Sequence, residues 1–300
     1  MKEICKEQHP GKPGTLFLVA TPIGNLGDLT ERAIQILNKV DLIAAEDTRH
    51  TRKLLTYLSI RKPIISYYRE KERVQAEKLL LYLDEGRDIA LVSDAGTPGL
   101  SDPGTLLVQK VVEKGINVVP VPGAAACLLA LIASGLPTDR FIFEGFLPRK
   151  KKLRLSRLEL LVNEERTIIL YEAPHRLLET LKELQIYLGA SRRIVVAREL
   201  TKLYEEFWRG TLEEAVRIWE EREIKGEFTL VIDGTKQVLL EPKDEKEEYC
   251  FFYQEIRKRV EKGEKPSALI REIAKREGIS RGGLYQYYLE EIKKGRPVSP

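Results

Sequence analysis

The stretch TLFLVATPIGNLGDLTERAIQILNKVDLIAAEDTRHTRKLLTYL, residues 15–58, decides the fold. TLFLVA (15–20) and LIAAE (42–46) are apolar runs of strand length, whereas LTERAIQILNKV (29–40) and TRHTRKLLTYL (48–58) carry the apolar spacing of helices. The alternation continues through the strand candidates PIISYY (63–68), IALVS (89–93) and NVVPV (117–121), with DPGTLLVQKVVEKG (102–115) a further helix. Repeated βαβ units predict a mostly parallel sheet covered on both faces. Ligands of such sheets sit beyond the carboxyl ends of the strands. Asp28 with Glu31 has capping-box spacing, and Asp102 before Pro103 reads as an N-cap acid preceding a first-turn proline.

A second block begins near Pro137, where GLPTDRFIFEGFLP reads as turn, strand and turn. RTIILYE (166–172), RIVVARE (193–199), EEFWRG (205–210) and EFTLVI (227–232) are its further strands, with helical stretches at 174–188 and 211–222. This mixture predicts a second α/β domain with a partly antiparallel sheet. From about Glu241 amphipathic helices separated by Gly and Pro read as a small helical appendage. The expected division is a flexible N-terminus over 1–13, an α/β domain over 14–136, a second over 137–240 and the appendage over 241–300.

At 43% hydrophobic and 32% charged residues, the composition is that of a globular protein. No apolar run approaches the roughly 18 residues of a membrane span, and the polar start MKEICKEQHPGKPG resembles neither signal nor anchor, so the cytoplasm is the expected location. Cys5, Cys127 and Cys250 are scattered, and His9, His50 and His175 form no pair with ligand spacing, which argues against a metal site. With 50 basic and 46 acidic residues the net charge is only +4, so global charge does not signal a nucleic-acid binder. Locally, LPRKKKLRLSRL (147–158) holds six basic residues and no acid; by itself it is as well explained by a solvated helix face.

The loops carry the chemistry. VSDAGTPGLSDPG (92–104) has two aspartates and several glycines but no basic residue, unlike a phosphate-binding loop, and the chain holds no Walker or dinucleotide fingerprint. TPIGNLGD (21–28) follows the first strand, where Pro22 fixes the backbone and Gly24 and Gly27 permit close approach. In AAEDTRHTRKLL (44–55), Asp47 can cap the next helix or act in catalysis, while Arg49 and Arg52 can face solvent or hold a phosphate. YEAPHRLLETL (171–181) places Glu172 and His175 at a strand-to-helix corner. PGAAA (122–126) offers side chains small enough for a flat ring to approach the backbone.

Taken together, TPIGNLGDLTERA, AAEDTRHTRKLL, VSDAGTPGLSDPG, VPGAAA, DRFIFEGFLPRK, YEAPHRL and GEFTLVI resemble, in this order and over roughly residues 14–235, the ribosomal RNA small-subunit methyltransferase I family of the tetrapyrrole methylase superfamily. The resemblance implies two α/β domains of tetrapyrrole methylase (class III methyltransferase) type, a homodimer, and S-adenosylmethionine as methyl donor. It further implies 2′-O-methylation of a cytidine ribose in small-subunit (16S) ribosomal RNA, naked or in the assembled subunit. Carried over by motif, Pro22, Asp94, Ala95, Gly96, Thr97, Ala125, Ala126 and Tyr171 would form the cofactor pocket. Asp47, Glu172 and His175 are the expected catalytic candidates, with Glu46 a further possible base and Asp47 preferred. Arg49, Arg52, Arg149, Lys150, Lys151, Lys152 and Arg154 are the expected RNA contacts.

One departure is visible: A-G-T-P stands here where tetrapyrrole enzymes usually carry a G-D-P type signature. Two alternatives remain at this point, a tetrapyrrole methyltransferase of the same fold and a ligand-sensing nucleic-acid-binding regulator.

Overall fold

The computed structural model describes residues 12–235, 245–277 and 279–293. The flexible N-terminus expected over 1–13 falls almost wholly outside them. The chain divides into two compact units, Met1–Thr235 and Lys236–Pro300, and each is considered by itself.

Five strands of the first unit, β1 (Thr15–Val19), β2 (Leu42–Ala45), β3 (Ile64–Ser66), β4 (Ile89–Val92) and β5 (Asn117–Val121), form one sheet in the order β3-β2-β4-β1-β5. Every pairing is parallel. The crossovers contain α1 (Glu31–Lys39), α2 (Thr48–Tyr57), α3 (Glu72–Asp84) and α4 (Thr105–Glu113). Every residue of β2 and β4 is buried, and their period-2 alternation feeds two cores. Leu42, Ala44, Ile89 and Leu91 pack on one face with Leu79, Leu83 and Leu107; Ile43, Ala45, Ala90 and Val92 pack on the other with Ala33, Leu37 and Leu55. The sheet is therefore covered on both faces, which is why its strands read as unbroken apolar runs.

The second sheet joins β6 (Phe141–Phe146), β7 (Thr167–Glu172), β8 (Arg193–Arg198), β9 (Glu206–Thr211) and β10 (Phe228–Ile232) in the order β6-β7-β10-β8-β9. Only β6 and β7 are parallel; the remaining pairs are antiparallel, giving the mixed sheet expected. One face is covered by α6 (Lys151–Leu161), α7 (Leu177–Leu188) and α8 (Leu212–Glu221), with Trp219 buried in that core. The other receives α5 (Ala126–Ser134), the helix that leaves β5 of the first sheet: Cys127, Ala130 and Leu131 pack on Ile169, Val195 and Val231. Through α5 the carboxyl-end loops of the first sheet come to lie over the second, with Ile23, Leu100, Ala125 and Tyr171 in one apolar cluster.

Two cap assignments differ from expectation. Thr30, not Asp28, caps α1, its hydroxyl accepting from the Ala33 N–H at 3.1 Å, because residues 26–28 form their own 3-10 turn. Asp102 caps nothing: Gly104 is the N-cap of α4, in a conformation (φ +148°) that glycine tolerates. Asp47 does cap α2, accepting from the Arg49 N–H at 2.8 Å.

The second unit contains α9 (Glu245–Val260), α10 (Pro266–Glu277) and α11 (Arg281–Lys293). Phe252, Ile256, Ile270, Ile273 and Leu284 form its core, and Arg259 bridges Glu264 and Glu272 on its surface. Among the described residues no helix is long and apolar enough to cross a membrane.

Candidate active site

Three loops at the carboxyl edge of the first sheet are stapled together. The Thr21 N–H donates to the Gly96 carbonyl at 2.8 Å and the Gly96 N–H donates back to the Thr21 carbonyl at 3.0 Å, an isolated antiparallel bridge between the loops after β1 and β4. The Thr97 hydroxyl donates to the Ala124 carbonyl at 3.0 Å, adding the loop after β5. Gly96 has φ +81°, and a Cβ there would stand 3.2 Å from Ile23 Cγ2, so this position needs glycine for both conformation and space.

A cleft of about 360 Å³ opens beneath them. Ala95, Gly96, Thr97, Ala125 and Ala126 line one side; Phe146, Tyr171, Ala173 and Phe228 line the other. The Tyr171 hydroxyl accepts from the Cys127 N–H at 3.1 Å, and its ring lies 5.0 Å from Phe143 and 5.6 Å from Phe146. Burial pushes its phenol up, keeping it neutral. Among the described residues no Lys, Arg or His lines this cleft, whereas Asp102, Glu172 and Glu227 do. Such a lining suits a neutral or cationic ligand better than a phosphate. A second cavity of about 400 Å³ adjoins it through Ile23, Ala95 and Glu227 and includes Pro22, His50, Lys53, Asp94 and Lys202.

Of the residues singled out in the sequence, Ala95, Gly96, Thr97, Ala125, Ala126, Tyr171 and Glu172 share the first cleft, while Pro22 and Asp94 face the second. The Asp94 carboxylate accepts from the Asp47 N–H at 2.9 Å, tying the β2–α2 loop to the β4 loop. Asp47 is locked by Arg49, whose Nη2 donates to it at 2.7 Å and holds its carboxyl well below the usual carboxylate range. Glu172 is fully buried with both oxygens occupied: Oε1 accepts from the Ala173 N–H at 2.8 Å and Oε2 from the Thr180 hydroxyl at 2.6 Å. It holds the strand-to-helix corner in shape. His175 is exposed on a 3-10 turn outside the residues lining either cavity.

The basic stretch divides. Arg149, Lys150, Lys151 and Lys152 are exposed at the start of α6. Arg154, expected among the RNA contacts, instead faces inward: its side chain is 5% exposed and its Nε donates to Glu183 at 2.6 Å. The helical period turns it onto α7 while its neighbours face water. Arg49 and Arg52 are exposed on α2.

Sequence reasoning set aside one residue that the fold brings into the cleft. Asp102 is half-buried in the lining; burial first, then the Asp94 charge, raise its carboxyl above the ordinary value, with the Ser93 hydroxyl pulling the other way. Glu46 is raised by the same causes, burial and then Asp102 and Asp94. The available signal was loop length: twelve residues separate β4 from α4, far more than a cap requires.

The family described as tetrapyrrole (corrin/porphyrin) methylases matches residues 15–216. A protein of Synechocystis sp. named ribosomal RNA small subunit methyltransferase I is 53% identical over 92% of this chain and 98% of its own length. Its namesake from Halalkalibacterium halodurans is 46% identical over 97% of this chain and 100% of its own. Among solved structures, a uroporphyrin-III C-methyltransferase from Thermus thermophilus superposes with a TM-score of 0.53 at 19% identity, over 73% of this chain and 94% of that one. A diphthine synthase does so with a TM-score of 0.56 at 13% identity, over 73% of this chain and 90% of that one. These distant likenesses share the fold, and the near ones fix the branch: the chain belongs to the ribosomal RNA small subunit methyltransferase I family of the tetrapyrrole methylases.

Proposed function

We propose that the protein transfers a methyl group from S-adenosylmethionine to the 2′-hydroxyl of a cytidine in small-subunit (16S) ribosomal RNA. The observation that carries this reading is the charge of the first cleft, which has carboxylates and close-approach backbone but, among the described residues, no cation in its lining. Glu46 and Asp102 are both raised by burial and by neighbouring carboxylates, an arrangement that a positively charged ligand relieves. Gly96, Ala125 and Ala126 leave the backbone bare where a flat ring and a ribose can pack, and the aromatic wall of Phe146 and Tyr171 closes the other side. The residues therefore fit a sulfonium cofactor.

S-Adenosylmethionine supplies an electrophilic methyl for in-line displacement. The protein's part is orientation, worth up to about 7–11 kcal/mol in well-aligned reactions, and acceptance of the hydroxyl proton. For the proton we assign Asp102, with Glu46 beside it. A carboxylate raised above its ordinary value is a better acceptor at neutral pH, and Asp102 lines the cleft. Asp47 is too weakly basic beside Arg49, Glu172 has no free oxygen, and His175 stands outside the lining. Exposed Arg149 to Lys152, with Arg52, supply the positive rim that an RNA strand requires. We further propose a cytoplasmic homodimer; Leu128 and Ile132, 46% and 70% exposed on α5, are apolar side chains such a contact would cover.

The test offers labelled S-adenosylmethionine together with small subunits, free small-subunit RNA and a tetrapyrrole. Label in RNA is the expected result. Label in the tetrapyrrole alone would overturn the reading.

A further inference from the structure

The two adjoining cavities differ in kind. Among the described residues the first has no basic group in its lining; the second has His50, Lys53 and Lys202 beside Asp94 and Glu227. Its outer lip continues onto a shallow groove along α2 formed by Arg49, Arg52, Lys53, Thr56 and Tyr57, so Lys53 and Tyr57 belong to both. Arg49 is neutralised by Asp47, but Arg52 and Lys53 have no acidic partner among the described residues. Tyr57 is 67% exposed at the end of α2, a large aromatic held in water beside unpaired cations.

Lys202 closes the opposite wall. Its stem packs against Gly24, where a Cβ would come within 2.4 Å of its Cγ, and its Nζ donates to Glu199 at 2.8 Å and Glu227 at 3.0 Å. Glu199 and Thr201 beside it hold left-handed backbone (φ +51° and +66°), so the chain accepts strain to keep this wall in place. The result is a nucleotide-scale chamber of about 400 Å³, reached along a cationic and aromatic track and sharing Ile23 and Ala95 with the cofactor cleft.

We propose that this second chamber seats the acceptor nucleotide. The target residue, unstacked from its strand, enters with its ribose towards the Ile23 and Ala95 wall; Lys53 neutralises a phosphate of the same strand and Tyr57 stacks a neighbouring base. The occupant is single-stranded RNA because the chamber is too small for a duplex, and because cations alternating with an exposed ring match backbone and base together. This assignment rests on the RNA methyltransferase reading above.

The full-length protein and its Lys53→Ala, Tyr57→Ala, Tyr57→Phe and Lys182→Ala variants are assayed for S-adenosylhomocysteine binding by calorimetry and for methyl transfer to small subunits at several salt concentrations. Lys182 pairs with Glu220 on the surface of α7 and serves as control. Cofactor affinity stays within about twofold throughout, which excludes misfolding. Tyr57→Ala raises KM about fivefold or more while Tyr57→Phe stays near wild type, since stacking needs the ring and not the hydroxyl. Lys53→Ala reduces the slope of log KM against log salt by about 0.7, one phosphate contact on a single strand, and Lys182→Ala changes nothing. If the wild type methylates RNA but Lys53→Ala and Tyr57→Ala keep its KM and salt slope, the chamber is not the acceptor site. A wild type that labels no RNA overturns the underlying reading as well.

Discussion

Arg154 offers the sharpest separation between what the sequence suggests and what the fold does with it. It belongs to the most basic stretch of the chain, yet its guanidinium faces inward. Nε and Nη2 donate to the two oxygens of Glu183 at 2.6 and 2.8 Å, Nη2 also donates to Glu179, and Nη1 donates to the Arg149 carbonyl at 3.2 Å. Glu183 is itself 12% exposed, so Arg154→Ala would leave a buried carboxylate without its cation. Breaking such a pair costs about 3–5 kcal/mol. At roughly 2–4 °C per kcal/mol for a unit of this size, Tm falls by about 6–20 °C. Differential scanning calorimetry measures this directly, with Lys151→Ala as the exposed comparison, expected within about 2 °C of wild type. The double variant Arg154→Met/Glu183→Leu should recover most of the loss, because replacing both charges removes the stranded one. An Arg154→Ala protein that melts with the wild type while losing RNA affinity as Lys151→Ala does would refute the reasoning.

Gly96→Ala forces a side chain into left-handed backbone at a cost of about 1–2 kcal/mol and presses on Ile23; calorimetry should show weaker S-adenosylhomocysteine binding together with a lower Tm. Asp102→Asn should lower turnover by about 10²–10⁴-fold in a single-turnover assay, and unchanged turnover would remove Asp102 as proton acceptor. Its effect on stability has the opposite sign. A carboxyl whose folded pKa is raised destabilises the unliganded protein above that pKa, so at neutral pH Asp102→Asn should melt higher than wild type, and the gap should close as pH falls through the raised value. Over the same window, protonation of Glu46 and Asp102 weakens their attraction for a cationic cofactor, so the Tm gain given by S-adenosylmethionine should shrink as pH falls.

The architecture was legible because period and length were unambiguous. β2 and β4 are buried on both faces and read as apolar runs, while α1 and α2 show their stripes. The small residues of PGAAA and the motif order likewise pointed to the first cleft. What the sequence hid depends on which way a side chain turns at the end of a loop. Asp102 looked like a cap because Pro103 follows it, but the helix starts at Thr105 behind Gly104, and Asp102 lines the cleft. Asp47 looked reactive, but a neighbour two residues away occupies it. Arg154 was indistinguishable from Lys151 and Lys152 in composition, and only the packing of α6 on α7 separates them. The wall built by Lys202 against Gly24 joins residues far apart in sequence, and neither motif announces the other.

The central claim, that this cleft serves ribose methylation of ribosomal RNA, is tested most directly by the chemical identity of the product. Small subunits methylated by the protein with labelled S-adenosylmethionine are digested to nucleosides and resolved by mass spectrometry. The account predicts label in 2′-O-methylcytidine, abolished or strongly reduced by Asp102→Asn. Label confined to a base-methylated nucleoside would contradict it.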